Sequence, residues 1–198
     1  MKEHRLKAEI YDLLALGFLY PSADRIEATT NGYFDAVEEK MAELGLGCEP
    51  SSYFCADETA LEREKEYTRL FVNAFPKVVT PPYGSVYLEE KGLVWGESTS
   101  GIVRLYVAAG VEITEDFHDI PDHIAAELSF ASYLQRSIDA GFSEHEGHYR
   151  ILMDEHLGRW GPEFLRKVTT ETSSDFYRKL AGVTKLFIDR EVSSLKKV

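Results

Sequence analysis

Cysteine is scarce in this chain. Its two thiols, Cys48 and Cys55, have six residues between them, a spacing that matches no zinc-binding pattern. One such pair does not make a disulfide framework in a chain of 198 residues. We therefore interpret both cysteines as ordinary reduced thiols.

Basic side chains are also in deficit. The chain has 22 Lys and Arg residues against 34 Asp and Glu residues, which gives a formal net charge of -12 at pH 7. Sequence-independent binding to nucleic acid needs Lys and Arg surfaces that neutralise phosphates, so this balance argues against it. It also disfavours docking on an anionic membrane leaflet. A cationic partner, in contrast, would be steered towards such a surface.

Long apolar runs are absent as well. The apolar stretch near the N-terminus runs from about Ile10 to Tyr20, and Asp12 interrupts it. A membrane span needs roughly 18 or more apolar residues, and no small-residue cleavage site follows this stretch. Its apolar residues keep a helical period at Leu6, Ile10, Leu13, Leu14 and Phe18. The stretch predicts an amphipathic helix, and we expect a soluble, cytoplasmic protein with no stable membrane insertion.

Catalytic signatures are missing too. The sequence contains no Walker loop and no GxGxxG, GxSxG or HExxH motif. These absences leave only a weak signal for catalysis, and we expect no cofactor and no metal ion.

What the chain does contain is material for a helical core. Hydrophobic residues make up 44% and aromatic residues 12% of the sequence, which argues against disorder. No repeat or linker marks a boundary, so we predict one globular all-α domain over residues 1–198. After the N-terminal helix, the predicted helices lie at about 32–45, 57–75, from Ser98 or Ser100 to Gly110, from the 118–130 stretch to Gly141, and at about 143–157, 160–170 and 173–190.

A long loop interrupts this helical pattern at about residues 75–98. Its prolines, glycines and aromatic residues predict an ordered loop with short extended pieces, and loops of this length inside a domain are usually functional. Within it, Tyr83, Ser85 and Tyr87 alternate, so an extended backbone would present all three on one side.

The stretch HDIPDHIAAELSF, residues 118–130, begins the long helix. Asp119 suits the N-cap position, Pro121 suits the first turn, and Asp122 follows three residues after the cap. We therefore predict Asp119 as a structural cap, which would stabilise the helix by about 1 kcal/mol.

Capping leaves two residues of this stretch unexplained, His123 and Glu127, which share one face of the helix. Two catalytic alternatives stay open. Asp122 and His123 form a candidate acid–base pair. A metal-assisted hydrolase would instead use His118, Asp122, His123 and Glu127 as a cluster.

Several of these stretches resemble one family. YTRLF, residues 67–71, resembles its aromatic-x-x-Leu-Phe motif, and PPYGSVY, residues 81–87, resembles its Pro-Tyr-x-Ser-x-Tyr segment. DIPDH, residues 119–123, is similar to its Glu-x-x-Asp-His hallmark, with Asp119 where the family usually has Glu. EHLGRWGPEF, residues 155–164, resembles its His-Leu-x-x-Trp-x-Pro-x-Phe block, and DFYRKLAGVTKLFI resembles its closing helix. The family is that of the TorD/DmsD chaperones for redox-enzyme maturation, with NarJ-type relatives.

The resemblance covers about residues 60–190 and implies an all-helical fold without catalysis. It implies binding of the twin-arginine signal peptide, and possible binding of the apo body, of a molybdopterin oxidoreductase, whose export is delayed until the cofactor is inserted and the enzyme has folded. Separately, long hinge loops in helical folds permit domain swapping, so we expect a monomer or a domain-swapped dimer. The family's peptide site maps here onto Tyr67, Leu70, Phe71, Tyr83, Ser85, Tyr87, Asp122 and His123. A nucleotide-responsive chaperone is a further alternative, although no phosphate loop favours it.

The residues fit this role chemically. A twin-arginine signal carries two guanidinium groups followed by an apolar segment, and its complement is a carboxylate beside an aromatic-lined groove. We expect Asp122 to accept a charge-assisted hydrogen bond at the edge of such a groove, worth on the order of 1.5–3 kcal/mol where water is partly excluded.

Overall fold

The computed structural model describes residues 2–47, 58–75, 77–90, 92–112 and 119–196. Three residues named above, Cys48, Cys55 and His118, lie outside these ranges. Within them, the chain forms ten α-helices: α1 (Lys2–Gly17), α2 (Ala23–Ala28), α3 (Tyr33–Glu43), α4 (Ala60–Tyr67), α5 (Gly84–Leu88), α6 (Glu97–Ala108), α7 (Ile124–Asp139), α8 (His145–Glu155), α9 (Leu157–Glu171) and α10 (Asp175–Leu195).

The all-α fold class predicted from the sequence is confirmed. A π-helical turn, Thr68–Val72, continues α4, and the described ranges contain no β-strand. They contain one isolated antiparallel bridge, between Tyr83 and His123. None of the described helices is long and apolar enough to cross a bilayer. The single-domain boundary at residues 1–198 stays a prediction.

Two helix pairs form the centre of the fold. The apolar stripe of α1 packs along α7, and α9 packs along α10. In the first pair, Ile10 and Leu14 of α1 and Leu128 and Leu134 of α7 are fully buried. The α1–α7 pair is also joined by a hydrogen bond, because the Ser132 hydroxyl donates to the backbone carbonyl of residue 8 at 3.0 Å.

An aromatic cluster joins these pairs to the π-helical turn. The Phe71 ring lies 6.4 Å from the Phe18 ring, 6.0 Å from the Phe164 ring and 5.5 Å from the Tyr177 ring, measured between centroids. The Tyr67 ring lies 5.0 Å from the Phe71 ring. Such edge-on and tilted pairs add about 0.5–1.5 kcal/mol each beyond apolar burial. The aromatic residues of the YTRLF motif therefore belong to the core.

Three sequence expectations about the elements need correction. The segment at 75–98 is not all loop, because it contains α5. The 57–75 helix is α-helical only to Tyr67 and continues as the π-helical turn. Neither Ser98 nor Ser100 caps α6, which begins at Glu97. Instead, the backbone N–H and the hydroxyl of Ser98 donate to the Glu89 carboxylate at 2.8 and 2.7 Å, so Glu89 caps the helix start from outside.

Candidate functional site

An apolar groove of about 680 Å³ opens on one side of the helical core. Its walls come from the π-helical turn, the 77–81 loop, α5 and the 92–94 segment. Its volume falls within the range typical of ligand sites, roughly 300–1,000 Å³. The side chains that dominate its surface are Val72, Tyr83, Val86, Tyr87, Leu93 and Val94.

Large apolar side chains are exposed in and near this groove. Val72, Leu93 and Val94 line it and are each about half exposed or more, while Phe75 is fully exposed next to the π-helical turn. Trp95, beside Val94 in the chain, is 66% exposed. Contiguous exposed apolar surface of this kind marks interaction sites in soluble proteins. Two cations, Lys77 and Lys167, also line the groove.

The π-helical turn sets the outer wall. The N–H of Asn73 donates to the carbonyl of Thr68, five residues back, at 2.8 Å. The extra residue in this turn lets Leu70 stay fully buried while Val72 reaches the groove. Thr80 then pins the following loop, because its N–H and hydroxyl both donate to the Leu70 carbonyl, at 2.8 and 3.1 Å.

The inner wall is α5, and here the expected extended backbone is wrong. Tyr83 alone is extended, and Gly84 starts a helix that turns Ser85 into the interior, where it is fully buried. A Cβ on Gly84 would lie 2.9 Å from the Trp160 indole nitrogen, so glycine lets α5 sit against α9. Tyr83 and Tyr87 both reach the groove, and the Tyr87 ring stacks on Trp160 at 5.6 Å.

Asp122 lies beneath this groove rather than at its edge. Its carboxylate is 1% exposed, and Oδ2 accepts from the backbone N–H of Ser85 at 2.6 Å and from the Thr99 hydroxyl at 3.2 Å. The Thr99 oxygen in turn accepts from the backbone N–H of Gly96 at 3.3 Å. One carboxylate oxygen therefore holds α5 and the first turn of α6 together.

His123, not Asp119, is the N-cap of α7. Its Nδ1 accepts from the backbone N–H of Ala125 at 3.1 Å. The Asp119 carboxylate is occupied elsewhere, since it accepts from its neighbour's N–H, that of Ile120, at 2.7 Å and from the Tyr83 hydroxyl at 3.0 Å. The prediction of Asp119 as the cap is wrong, because the chain reaches helical geometry four residues later than the pattern indicated.

Burial favours the neutral form of the His123 ring. Its side chain is almost fully buried, and desolvation lowers its pKa, while the charges of Asp119 and Asp122 act in the opposite direction. Its Nε2 lies 3.8 Å from Asp119 Oδ2. Backbone hydrogen bonds join the start of α5 to the start of α7, and we call this contact the α5–α7 junction. The N–H of Gly84 donates to the Asp122 carbonyl, and the N–H of Ile124 donates to the Pro82 carbonyl, both at 2.9 Å.

Glu127 adds a second buried carboxyl to this junction. It is fully buried, and its Oε2 accepts from the Trp160 indole N–H at 3.1 Å. Burial raises its pKa well above the usual range, the Trp160 hydrogen bond lowers it, and the nearby Asp122 charge raises it further. Burial therefore favours the protonated, neutral form of the Glu127 carboxyl. Glu127 Oε1, Asp122 Oδ1 and the Ser85 hydroxyl oxygen have no hydrogen-bond partner among the residues that the structure describes.

These positions separate the eight predicted peptide-site residues into two groups. Tyr83 and Tyr87 are partly exposed and line the groove. The other six are buried in the protein interior: Tyr67, Leu70, Phe71, Ser85, Asp122 and His123. Of these six, Phe71 also contributes to the groove lining.

Sequence reasoning missed the apolar residues of the groove, namely Val72, Val86, Leu93, Val94 and their neighbour Trp95. A signal was present, because Leu93, Val94 and Trp95 form a consecutive apolar triplet inside a segment predicted to be a loop. Such triplets at exposed positions are unusual unless they bind something.

No metal-binding cluster supports the hydrolase alternative in the part of the chain that the structure describes. No group of three or more His, Cys, Asp or Glu side chains is arranged to hold an ion there. Asp122, His123 and Glu127 instead make the structural contacts given above. His118, the fourth member of that cluster, lies outside the described residues.

The helical fold of this chain is similar to that of a solved redox enzyme maturation protein. A solved structure from Archaeoglobus fulgidus, assigned as a redox enzyme maturation protein, superposes with a TM-score of 0.61 at 25% identity, covering 92% of this chain and 93% of that one. The family model of the nitrate reductase delta subunit matches residues 35–166. The chain belongs to this family, which confirms the TorD/NarJ resemblance.

Curated relatives include chaperones of both resembled types. The chaperone protein TorD of Shewanella pealeana is 24% identical over 147 residues, which is 71% of this chain and 63% of that protein. The Tat proofreading chaperone DmsD of Salmonella typhi is 26% identical over 122 residues, 61% of this chain and 55% of that protein. The matches thus span less than two thirds of each of these two relatives. These relatives are chaperones, in agreement with the prediction that the chain is not an enzyme.

Proposed function

We propose that this protein is a cytoplasmic maturation chaperone that binds the twin-arginine signal peptide of a molybdopterin oxidoreductase in the apolar groove. The supporting observation is a groove of about 680 Å³ that exposes apolar side chains. Hydrogen bonds to the buried Asp122 carboxylate hold α5, one wall of this groove, to the first turn of α6. Retention of the peptide would delay export until the cofactor is inserted. Contact with the apo body of the oxidoreductase is part of the same proposal.

The apolar segment of the signal is the part that the groove accommodates. Val72, Val86 and Leu93 present aliphatic surface, and the rings of Tyr83 and Tyr87 present flat faces. Burial of apolar surface contributes about 25 cal/mol per Å². A few hundred Å² would therefore supply several kcal/mol, before the cost of ordering the peptide is subtracted.

The arginines require an exposed carboxylate, and this changes the role of the Asp-His motif. Asp122 is 1% exposed and already accepts two hydrogen bonds, so it acts as a positioning residue for the groove walls. Asp119 has a side chain that is 43% exposed and is bonded to Tyr83, which lines the groove. We assign Asp119 as the guanidinium acceptor. An exposed pair of this kind contributes about 0–1 kcal/mol, so the apolar contacts dominate affinity.

Calorimetric titration with a synthetic twin-arginine signal peptide tests the proposal. Binding of the peptide is expected, together with a clear loss when the leucines of its apolar segment are replaced by serine. Replacement of both arginines by lysine should have a smaller effect, because a single exposed carboxylate recognises them. Absence of binding by the parent peptide would refute the proposal.

A matched pair of valines on the protein localises the site. Val72 is 55% exposed in the groove, and Val107 is 69% exposed on α6 and does not line it. Val72→Ser should weaken peptide binding by about fivefold, corresponding to roughly 1 kcal/mol of lost apolar contact. Val107→Ser should bind as the parent does. Equal affinities of the two variants would place the peptide elsewhere.

A further inference from the structure

We propose that Trp95 is a specificity-determining contact residue that packs against the apolar segment of the bound peptide. It would act together with Leu93 and Val94, and we call these three residues the apolar tip. The inference rests on the proposed function, because the occupant of the groove is taken to be the signal peptide. None of the sequence motifs that carry the family resemblance includes the tip.

The tip is exposed and continuous with the groove. Leu93 is 62%, Val94 45% and Trp95 66% exposed, and the first two line the groove. Folding normally removes large apolar side chains from water, so three consecutive exposed ones mark an interaction surface. Tryptophan is the residue type most enriched among energetically dominant contacts at protein interfaces.

The backbone holds Trp95 in a conformation that its own side chain disfavours. Its φ angle is +63°, in the left-handed region, and it is the one non-glycine residue with positive φ in the described ranges. Bulky residues adopt this region rarely. Strained residues of this kind cluster at ligand clamps, where the surrounding structure fixes them. In this conformation the Trp95 side chain is 66% exposed.

Both ends of the tip are fixed by hydrogen bonds. On one side, the N–H of Gly92 donates to the Glu89 carbonyl at 3.0 Å. On the other side, the N–H of Gly96 donates to Thr99, which is itself bonded to Asp122. A Cβ on Gly96 would lie 2.3 Å from the Glu89 carboxylate, so glycine lets these two segments meet. The tip is therefore preorganised, and little ordering cost remains when a ligand arrives.

An apolar peptide segment fits this surface better than a membrane does. The tip borders a concave groove, which encloses a chain but not a flat bilayer. The net charge of -12 also opposes approach to an anionic leaflet. The tip itself carries no charge, which suits leucine-rich sequence.

Tryptophan fluorescence reports on the environment of Trp95 in the apolar tip. The chain has two tryptophans, and Trp160 is 1% exposed, so a shift in emission on binding reports mainly on Trp95. A tryptophan-free twin-arginine peptide with a leucine-rich segment should shift the emission to shorter wavelength and protect it from acrylamide quenching. The Trp95→Phe variant should lose that signal while its calorimetric affinity changes by less than about threefold.

Alanine substitution measures the contact itself. Trp95→Ala should weaken peptide binding by about tenfold, as is typical of an aromatic contact residue. The control is Phe142→Ala, which removes an aromatic ring that is 55% exposed at a position outside the groove lining, and which should leave affinity unchanged. Circular dichroism of both variants checks that the helices are retained.

The outcomes separate this inference from the proposed function. Peptide binding in calorimetry with no change in Trp95 emission, and with unchanged affinity of Trp95→Ala, would overturn the role of the tip and leave the function standing. No binding of any peptide would overturn both. A blue shift with vesicles of phosphatidylcholine and phosphatidylglycerol, but not with peptide, would identify the tip as a membrane contact and refute the inference.

Discussion

Replacement of Glu127 by glutamine should stabilise the protein at neutral pH, and the gain should disappear in acid. Glu127 is fully buried and has one hydrogen bond, from the Trp160 indole. No cation of the described residues contributes to its pKa, and burial raises that pKa well above the usual value of 4.5. Glutamine has nearly the same shape, keeps a carbonyl oxygen for the indole and carries an N–H group where the neutral acid carries its O–H.

The magnitude follows from the proton that Glu127 keeps on folding. Below pH 4.5, both the folded and unfolded chains carry this proton, so the wild-type side chain costs nothing extra. As the pH rises, the unfolded chain releases the proton and is stabilised by doing so, whereas the folded chain is not. The free energy of unfolding of the wild type therefore falls relative to that of Glu127→Gln. The difference grows by about 1.4 kcal/mol per pH unit while the folded state stays protonated. The upper bound at pH 7, which applies if the folded state keeps the proton throughout, is roughly 3–4 kcal/mol.

Urea unfolding followed by circular dichroism at pH 5, 6 and 7 measures this difference. Glu127→Gln should exceed the wild-type free energy of unfolding by a margin that widens with pH, up to the bound just given. Glu90→Gln serves as the control, because Glu90 is exposed. An advantage that is constant with pH, or a loss of stability that increases towards pH 7, would show that Glu127 is ionised in the folded protein and would refute the reasoning.

Two further predictions concern pH and backbone conformation. Because burial lowers the pKa of His123, its protonation favours the unfolded chain, and the stability it contributes above pH 6.5 should be lost as the pH falls. His123→Asn, which keeps an N-cap, should flatten the decline in urea midpoint between pH 7 and pH 5, and an unchanged slope would contradict this. Gly110→Ala should cost about 1 kcal/mol, since its φ is +75°. The matched Gly182→Ala, in α10 with no atom within 4 Å of its new Cβ, should gain up to about 1 kcal/mol in the same urea assay.

The helical architecture could be predicted because its signals are local. Apolar residues spaced at three and four mark the buried face of α1, and the helix expected at 32–45 is observed as Tyr33–Glu43. The predicted stops at Gly110 and Gly141 are confirmed by φ angles of +75° and +102°. Each of these features depends on a few neighbouring residues, so no knowledge of the tertiary fold is needed.

The elements that form the groove could not be predicted in the same way. The π-helical turn at Thr68–Val72 has the periodicity of an α-helix until one hydrogen bond shifts by a residue. The short helix α5 is held by contacts with Trp160 and Asp122, which are remote in sequence. Five residues are too few to form a helix in isolation, so tertiary contacts decide their conformation.

The capping error at Asp119 has a similar origin. Asp119, Pro121 and Asp122 satisfy the local rules for a helix start, but local rules do not register the bridge between Tyr83 and His123. That bridge keeps His123 extended and delays the helix to Ile124. Once Asp122 is drawn towards Ser85 and Thr99, it is also removed from the surface where the sequence alone had placed it.

The shared oxygen of Asp122 has a thermodynamic consequence for any occupant of the groove. Oδ2 accepts from the Ser85 N–H of α5 and from Thr99, which holds the segment that ends in Gly96. Displacement of either wall moves Oδ2 and so changes the hydrogen bond to the other wall. The energetic cost of moving one wall therefore depends on the position of the other. Contacts with α5 and with the apolar tip are therefore coupled, and a ligand that engages both should bind more tightly than the sum of its halves would indicate.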